Sequence, residues 1–340
     1  MKTSMNVVDC HSDYGIKVMF EHKRGNDNIL TGLHLTRLKK GGVNLECLVV
    51  GGDFDFYPQI DSRNSETIFK TLEIINGEIK TNSDVLHKII TRNDLKALSD
   101  RTCFLLSLEG ASSIGSDLNL LEEFFEKGIR LITLTHNEKN EIGDGIGVKS
   151  PKGLTNFGER VIDRMNKLGM IIDLSHSSNP LFWDVINKID TPCITSHSNV
   201  KSICNNVRNL TDKQIEAVSE KGGVIGMNLY GGFIDLNPEH VTIDRLIDHV
   251  DYIVDLIGID YIGIGADLLD YAVEDNIQLV DTSSEEARKN PIQIQYPRIL
   301  SNVSKFSLIL KYLKKRGYTK KEIKMIAGEN FIRVFKSILH

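Results

Sequence analysis

The sequence predicts an α/β fold, a single (β/α)8 barrel, and three observations carry that prediction. Eight short β-rich runs alternate with helical patterns along the 340 residues. The runs are apolar almost throughout, as strands buried on both faces are. No glycine-rich phosphate turn follows the first run, which argues against a doubly wound open sheet.

In order, the runs are Met5–Asp13, Val43–Gly51, Cys103–Ala111, Arg130–Asn137, Met170–Ser177, Pro192–Asn199, Gly223–Tyr230 and Tyr261–Leu269. Asn119–Gly128 and Thr155–Gly169 carry apolar pairs at helical spacing and end on a glycine that serves as C-cap. Thr211 followed by Gln214 is a capping-box pattern, and a long amphipathic helix starts at Thr242. Residues 1–340 read as one domain, with C-terminal helices from about 303 to 340 packed on the barrel. The glycine-rich stretch Gly143–Gly153 follows the fourth run without Walker or Rossmann spacing, and reads as a mobile loop.

With 41% hydrophobic and 26% charged residues the composition is that of an ordinary globular protein. A net charge of −5 gives no positive field for nucleic acid or anionic lipid. The short basic cluster Lys311–Arg316 sits among apolar residues at helical spacing and reads as a solvated helix face. No signal peptide is recognisable, and no run approaches the roughly 18 apolar residues of a membrane span. The five cysteines, Cys10, Cys47, Cys103, Cys193 and Cys204, are scattered and mostly within apolar runs. They read as reduced and buried in a cytoplasmic protein, and without a C-x-x-C pair they offer no thiolate zinc site.

Barrel chemistry lives at the C-terminal ends of the strands. Those ends present His11 and Asp13, Glu109, His136, His176, His197 and Asp267. His11 and Asp13, two apart, point to the same face of a strand and can converge on one cation. Glu109 can reach that cation with one oxygen and bridge to a second, whose site His176 and His197 complete. Imidazole plus carboxylate suits zinc, with manganese, cobalt or iron as alternatives. Two ions sharing a carboxylate hold a bridging water whose pKa drops toward about 7, which is the machinery of hydrolysis. The barrel is therefore expected to be of the metal-dependent hydrolase type.

The stretches "DCHSD", "SLEG", "GIRLITLTHN", "GLTNFGERVIDRMNKLGMIIDLSHSS", "SHSNVKSICNNVRNLTD", "EKGGVIGMNLYGGF", "IGIGAD" and "GENFIRVF" resemble the renal (membrane) dipeptidase family of the amidohydrolase superfamily, over nearly the whole chain. The resemblance implies two zinc ions per chain, with His11 and Asp13 on one, Glu109 bridging, and His176 and His197 on the other. It implies His136 as the histidine that steadies the oxyanion and Arg208 as the grip on the substrate's C-terminal carboxylate. Tyr230 matches a tyrosine near the substrate, and Asp267 the aspartate that shuttles a proton from the bridging water to the leaving amine. The implied activity is hydrolysis of small dipeptides by a metal-bridging hydroxide, with a D-residue accepted at the C-terminal end. The implied assembly is a homodimer.

Two departures bear on substrate. The family's aromatic pair in strand two is replaced by Glu46, Cys47 and Leu48, so the pocket wall is altered or supplied by Phe54, Phe56 or Tyr57. After Asp267 the family's phenylalanine and glycine give way to Leu268 and Leu269. These changes keep open a second reading, a binuclear-metal amidohydrolase for another small amide such as an N-acyl amino acid or a lactam. Glu329 replaces a glycine before Asn330, a structural change.

Overall fold

Nine strands form one sheet in the computed structural model, which describes residues 5–54, 56–275, 277 and 295–340. They are β1 (Val8–Ser12), β2 (Leu45–Gly52), β3 (Leu86–Lys88), β4 (Thr102–Glu109), β5 (Ile129–Thr133), β6 (Ile171–Asp173), β7 (Ile194–Thr195), β8 (Val224–Met227) and β9 (Ile262–Ile264). Eight run in parallel order β1-β2-β4-β5-β6-β7-β8-β9, the (β/α)8 barrel expected from the sequence. β9 meets β1 through side chain and loop: the Ala266 N–H donates to the Asp9 carboxylate at 2.8 Å and the Asp267 N–H to the His11 carbonyl at 3.2 Å. β3 is an addition that the sequence reading missed; it pairs with the first residues of β4, Thr102 to Phe104.

The barrel interior is filled at one end by alternate strand residues, among them Cys10, Cys47, Leu105, Leu131, Ile171 and Val224. Phe331 and Phe335, from the helix Asn330–Ile338, join the same cluster and plug that end. Asn330 anchors this helix by donating to the Ile259 and Ile262 carbonyls beside β9. The opposite end is left for polar groups.

The strands are shorter than the runs that predict them. β6 has three residues and β7 two, so His176 and His197 lie in turns beyond the strands rather than within them. The pairing of β1 with β2 also slips: Asp9 faces Glu46 but Ser12 faces Leu48, three steps against two. Such a bulge breaks the alternation of side chains. It lets both Cys10 and His11 turn inward, which a regular strand would forbid.

Helix ends follow the sequence closely. Thr155 and Thr242 accept from the N–H groups of Gly158 and Arg245, and Thr211 and Gln214 form the capping box. Gly128 and Gly169 cap their helices in the left-handed conformation. The segment 143–153, expected as a mobile loop, is instead tied down. The Asp144 carboxylate accepts from the N–H groups of Lys152 and Gly153, and the Asp144 carbonyl accepts from Ser178. Glycine is required at Gly226, where any side chain would run into the Ser196 carbonyl of the neighbouring turn.

Candidate metal centre

The polar ends of the strands meet at one mouth. Glu109, the last residue of β4, sits at its centre: its Oε1 lies 3.4 Å from His11 Nε2, 3.1 Å from His176 Nε2 and 3.4 Å from His197 Nε2. His176 and His197 face each other at 2.9 Å between their Nε2 atoms. Asp13, the N-cap residue of the helix Tyr14–Lys23, places Oδ1 3.6 Å from His11 Nε2, and Asp267 Oδ1 is 4.0 Å away on the far side. His136, in the loop beyond β5, stacks obliquely on His176 with ring centroids 4.2 Å apart. All seven strand-end residues named from the sequence are thus gathered, in three interlocking groups able to hold a cation.

Two of these donors are buried without a hydrogen-bond partner, His11 Nε2 and Asp13 Oδ1. Orphaned buried polar atoms are costly, and they mark a place for something that binds them. The donor set, imidazole nitrogen and carboxylate oxygen, fits divalent transition ions.

The electrostatics point the same way. Burial works against a charged His11, yet Glu109, Asp13 and Asp267 together hold its pKa well above the ordinary range. Burial pushes the Glu109 carboxyl well up, and Asp13 adds to the effect. Burial likewise lifts Asp267 to about 6, with Asp13 adding and His11 and Asn228 opposing. Carboxylates this close repel, and cations relieve the repulsion. His176 and His197 are pushed well down, chiefly by burial, and so stay neutral as ligands must be.

The orientation of the histidines comes from residues that the sequence reading did not single out. Asp173, fully buried at the end of β6, accepts from the N–H groups of Ser175 and Ser196 and from the hydroxyls of Thr133 and Ser196. Ser196 Oγ is in turn 2.7 Å from His197 Nδ1. Since the Ser196 proton goes to Asp173, His197 Nδ1–H donates to Ser196, and the Nε2 lone pair faces the mouth. His176 does the same through Asn137, whose Oδ1 is 2.8 Å from its Nδ1. Asp173→Ala is therefore expected to weaken metal binding by about 10- to 100-fold, read by competition with a chromophoric chelator. An unchanged affinity would remove Asp173 from this positioning role.

Two site residues hold left-handed backbone despite having side chains, His176 at φ 62° and Asp267 at φ 52°. Such geometry costs about 1–3 kcal/mol and persists where the surroundings impose it. At Asp267 those surroundings are visible. Asn228 donates to its Oδ2 at 2.8 Å. The Tyr296 hydroxyl donates to the Asp267 carbonyl at 2.6 Å and accepts from the Leu269 N–H.

Arg208 returns from the loop after β7, buried, and donates to the His197 carbonyl. Its guanidinium lies 5.2 Å from the Phe233 ring, and Tyr230 packs edge-on against the same ring at 4.5 Å. The Arg208 charge is the second cause, after burial, of a His136 pKa near 3, so the imidazole is neutral and keeps an N–H to donate.

The altered strand-two segment also finds its place. Glu46 faces away from the lumen, fully buried against His34, its carboxylate 2.8 Å from Nε2. Cys47 is inside the barrel near Cys10, with sulfurs 3.9 Å apart. The aromatic wall at the mouth comes from Phe54, edge-on to His136 at 5.9 Å and stacked on Phe56 at 4.5 Å. Tyr57 turns elsewhere, stacking on Phe20 and donating to Asp275. Leu268 and Leu269 are buried.

Comparison with known proteins places this geometry. The family described as membrane dipeptidase (peptidase family M19) matches residues 1–283. An uncharacterised dipeptidase of Schizosaccharomyces pombe is 28% identical, over 98% of this chain and 81% of its own length. Dipeptidase 3 of Mus musculus is 27% identical over 98% of this chain, which spans only 64% of that protein. Among solved structures, a metallo peptidase from Rhodobacter sphaeroides, liganded with a phosphinate mimic of the dipeptide L-Ala-D-Ala, superposes with a TM-score of 0.82 at 18% identity, covering 98% of this chain and 99% of its own. The probable dipeptidase PvdM from Pseudomonas aeruginosa gives 0.82 at 19% identity, covering 98% and 95%. These likenesses support the barrel fold, and the match over most of the sequence goes further: the chain belongs to the membrane dipeptidase family, peptidase family M19.

Proposed function

We propose that the protein is a metal-dependent dipeptidase that hydrolyses the single peptide bond of small dipeptides, and that two zinc ions per chain serve it. The observation that carries this reading is the convergence of His11, Asp13, Glu109, His176 and His197 beside the buried cation Arg208, in a chain of this family. His11 and Asp13 would hold one ion, His176 and His197 the other, and Glu109 would touch both. Bound there, such ions would supply Lewis acidity and would activate a water for attack at neutral pH.

The chain's own groups do the rest. Arg208 can grip the substrate's C-terminal carboxylate through two parallel N–H donors. Tyr230 and Phe233 close the wall around that grip. His136, neutral and partly open to the mouth, donates its N–H to the carbonyl oxygen as negative charge develops there, a contribution of about 10²–10³-fold where such donors have been removed. Asp267, held by Asn228 and Tyr296, takes a proton from the attacking water and passes it to the leaving amine. The water oxygen bonds to the carbonyl carbon, the C–N bond breaks as the amine is protonated, and two free amino acids leave.

A D-residue at the C-terminal position is part of this proposal; it rests on the family resemblance, and the Rhodobacter sphaeroides relative binds a mimic of such a dipeptide. The homodimer rests on the same resemblance. The cytoplasmic location rests on five free cysteines, all buried. Among the described residues no helix is long and apolar enough to cross a membrane. With Glu46 turned away against His34, the change in strand two leaves the mouth aromatic through Phe54 and Phe56.

A panel of L–L and L–D dipeptides, assayed with zinc, tests the reading. Turnover of at least some members is expected. No turnover of any dipeptide by fully metal-loaded protein would sink it, and turnover of N-acyl amino acids or lactams alone would select the alternative.

A further inference from the structure

Each Ser-His-Ser tripeptide places its two serines on different duties. The leading ones, Ser175 and Ser196, belong to the Asp173 network. The trailing ones, Ser177 and Ser198, line a cavity of about 150 Å³ beside the mouth. That is several times the roughly 30 Å³ share of one water. Both hydroxyls are buried without a hydrogen-bond partner, their residues 7% and 1% exposed. Arg208 forms part of the same wall, and so does Lys201, from the loop that carries Arg208. Among the described residues the Lys201 ammonium has no hydrogen-bond or ion-pair partner. Among the described residues no aspartate or glutamate lines the cavity; its other polar groups include Asn179 and Thr211.

Unpartnered buried hydroxyls, an unpaired ammonium and a lining without a carboxylate describe a site short of an anion. Its position limits the source. Ser177 and Ser198 each follow a metal-centre histidine by one residue, and Arg208 faces both the centre and the cavity. A residue whose main-chain carboxylate is held by Arg208 would have its side chain within reach of this space.

We propose that the cavity is a subsite for a carboxylate borne on the side chain of the substrate's C-terminal residue, recognised by Lys201, Ser177 and Ser198. The enzyme would then prefer dipeptides ending in aspartate or glutamate. This rests on the dipeptidase reading and deepens it.

The test compares kcat/KM of the metal-loaded enzyme for Ala–Asp, Ala–Glu and Ala–Ala, each with an L- or D-residue at the C-terminal end, in wild type and in Lys201→Met and Lys201→Arg. Wild type should favour an acidic dipeptide over Ala–Ala by about tenfold or more, the scale of one hydrogen bond to a charged group. In Lys201→Met that preference should collapse toward unity, through KM rather than kcat, and Lys201→Arg should recover part of it. An equal loss on acidic and neutral substrates would mark Lys201 as structural and overturn the subsite. So would neutral dipeptides turned over as well as acidic ones by wild type, although the dipeptidase reading would then stand. If no dipeptide is turned over, both fall. Added inorganic phosphate probes the remaining source. If phosphate alters Ala–Ala hydrolysis in wild type but not in Lys201→Met, and no acidic preference exists, the cavity serves a free anion and the substrate assignment is overturned.

Discussion

Replacing Asp267 by asparagine should lower kcat by about 10²–10⁴-fold, the range of general acid–base catalysis, while the metal content stays at the wild-type level. Asparagine keeps the shape of the side chain and one oxygen, and loses the capacity to take and release a proton. The local frame should survive the change, because Tyr296 holds the backbone through the Asp267 carbonyl, not through the side chain. Asn228 donates to Oδ2, so that contact requires the new amide to present its oxygen there. The left-handed backbone at φ 52° also tolerates asparagine better than most residues. Steady-state kinetics beside elemental analysis of the same preparation reads both quantities. A metal-loaded variant with near-wild-type kcat would remove Asp267 from proton transfer. A variant that loses metal would instead make it a ligand.

His176→Ala and His197→Ala should fail alike. Their Nε2 atoms are 2.9 Å apart and share Glu109 Oε1, so in the proposed site each deletion empties the same position. Each variant should bind about one ion fewer per chain and lose most of its activity, because the attacking water is then left with one ion in place of two. Deleting either imidazole also removes one hydrogen bond from a second partner, Asn137 for His176 and Ser196 for His197. Circular dichroism therefore has to accompany metal analysis, to separate an unfolded variant from a metal-free one. If one variant loses metal and the other keeps it, the two histidines do not share an ion.

How much of this could be read from the chain alone differs by level. The barrel was legible because alternating strand and helix patterns survive without tertiary context. Caps at Thr155, Thr211 and Thr242 were legible for the same reason, since a cap is a contact between near neighbours. The strand ends were not. A strand buried on both faces gives a continuous apolar run, and such a run carries no mark of where pairing stops. Hence Met170–Ser177 reads as one strand, although only Ile171–Asp173 is paired. The loop 143–153 was misread as mobile because its anchor, Asp144, accepts from N–H groups eight and nine residues away, and nothing in the local pattern announces that.

The candidate site shows the same division. The sequence determined which residue types stand at the strand ends, and with them the donor chemistry: three imidazoles and two carboxylates for ions, with His136, Arg208 and Asp267 beside them. Tertiary structure decided how they act. The bulge in β1 turns His11 inward, and Asp173, acting through Ser196, orients His197. Glu46, which looked like a change in the pocket wall, is paired with His34 on the far side of the sheet. Of the four serines in the two tripeptides, two support histidines and two face the cavity with Lys201. These outcomes depend on partners tens of residues away and on which face of a strand or turn a side chain occupies. The identity of a residue is written in the chain, but its partner is set only when the barrel closes.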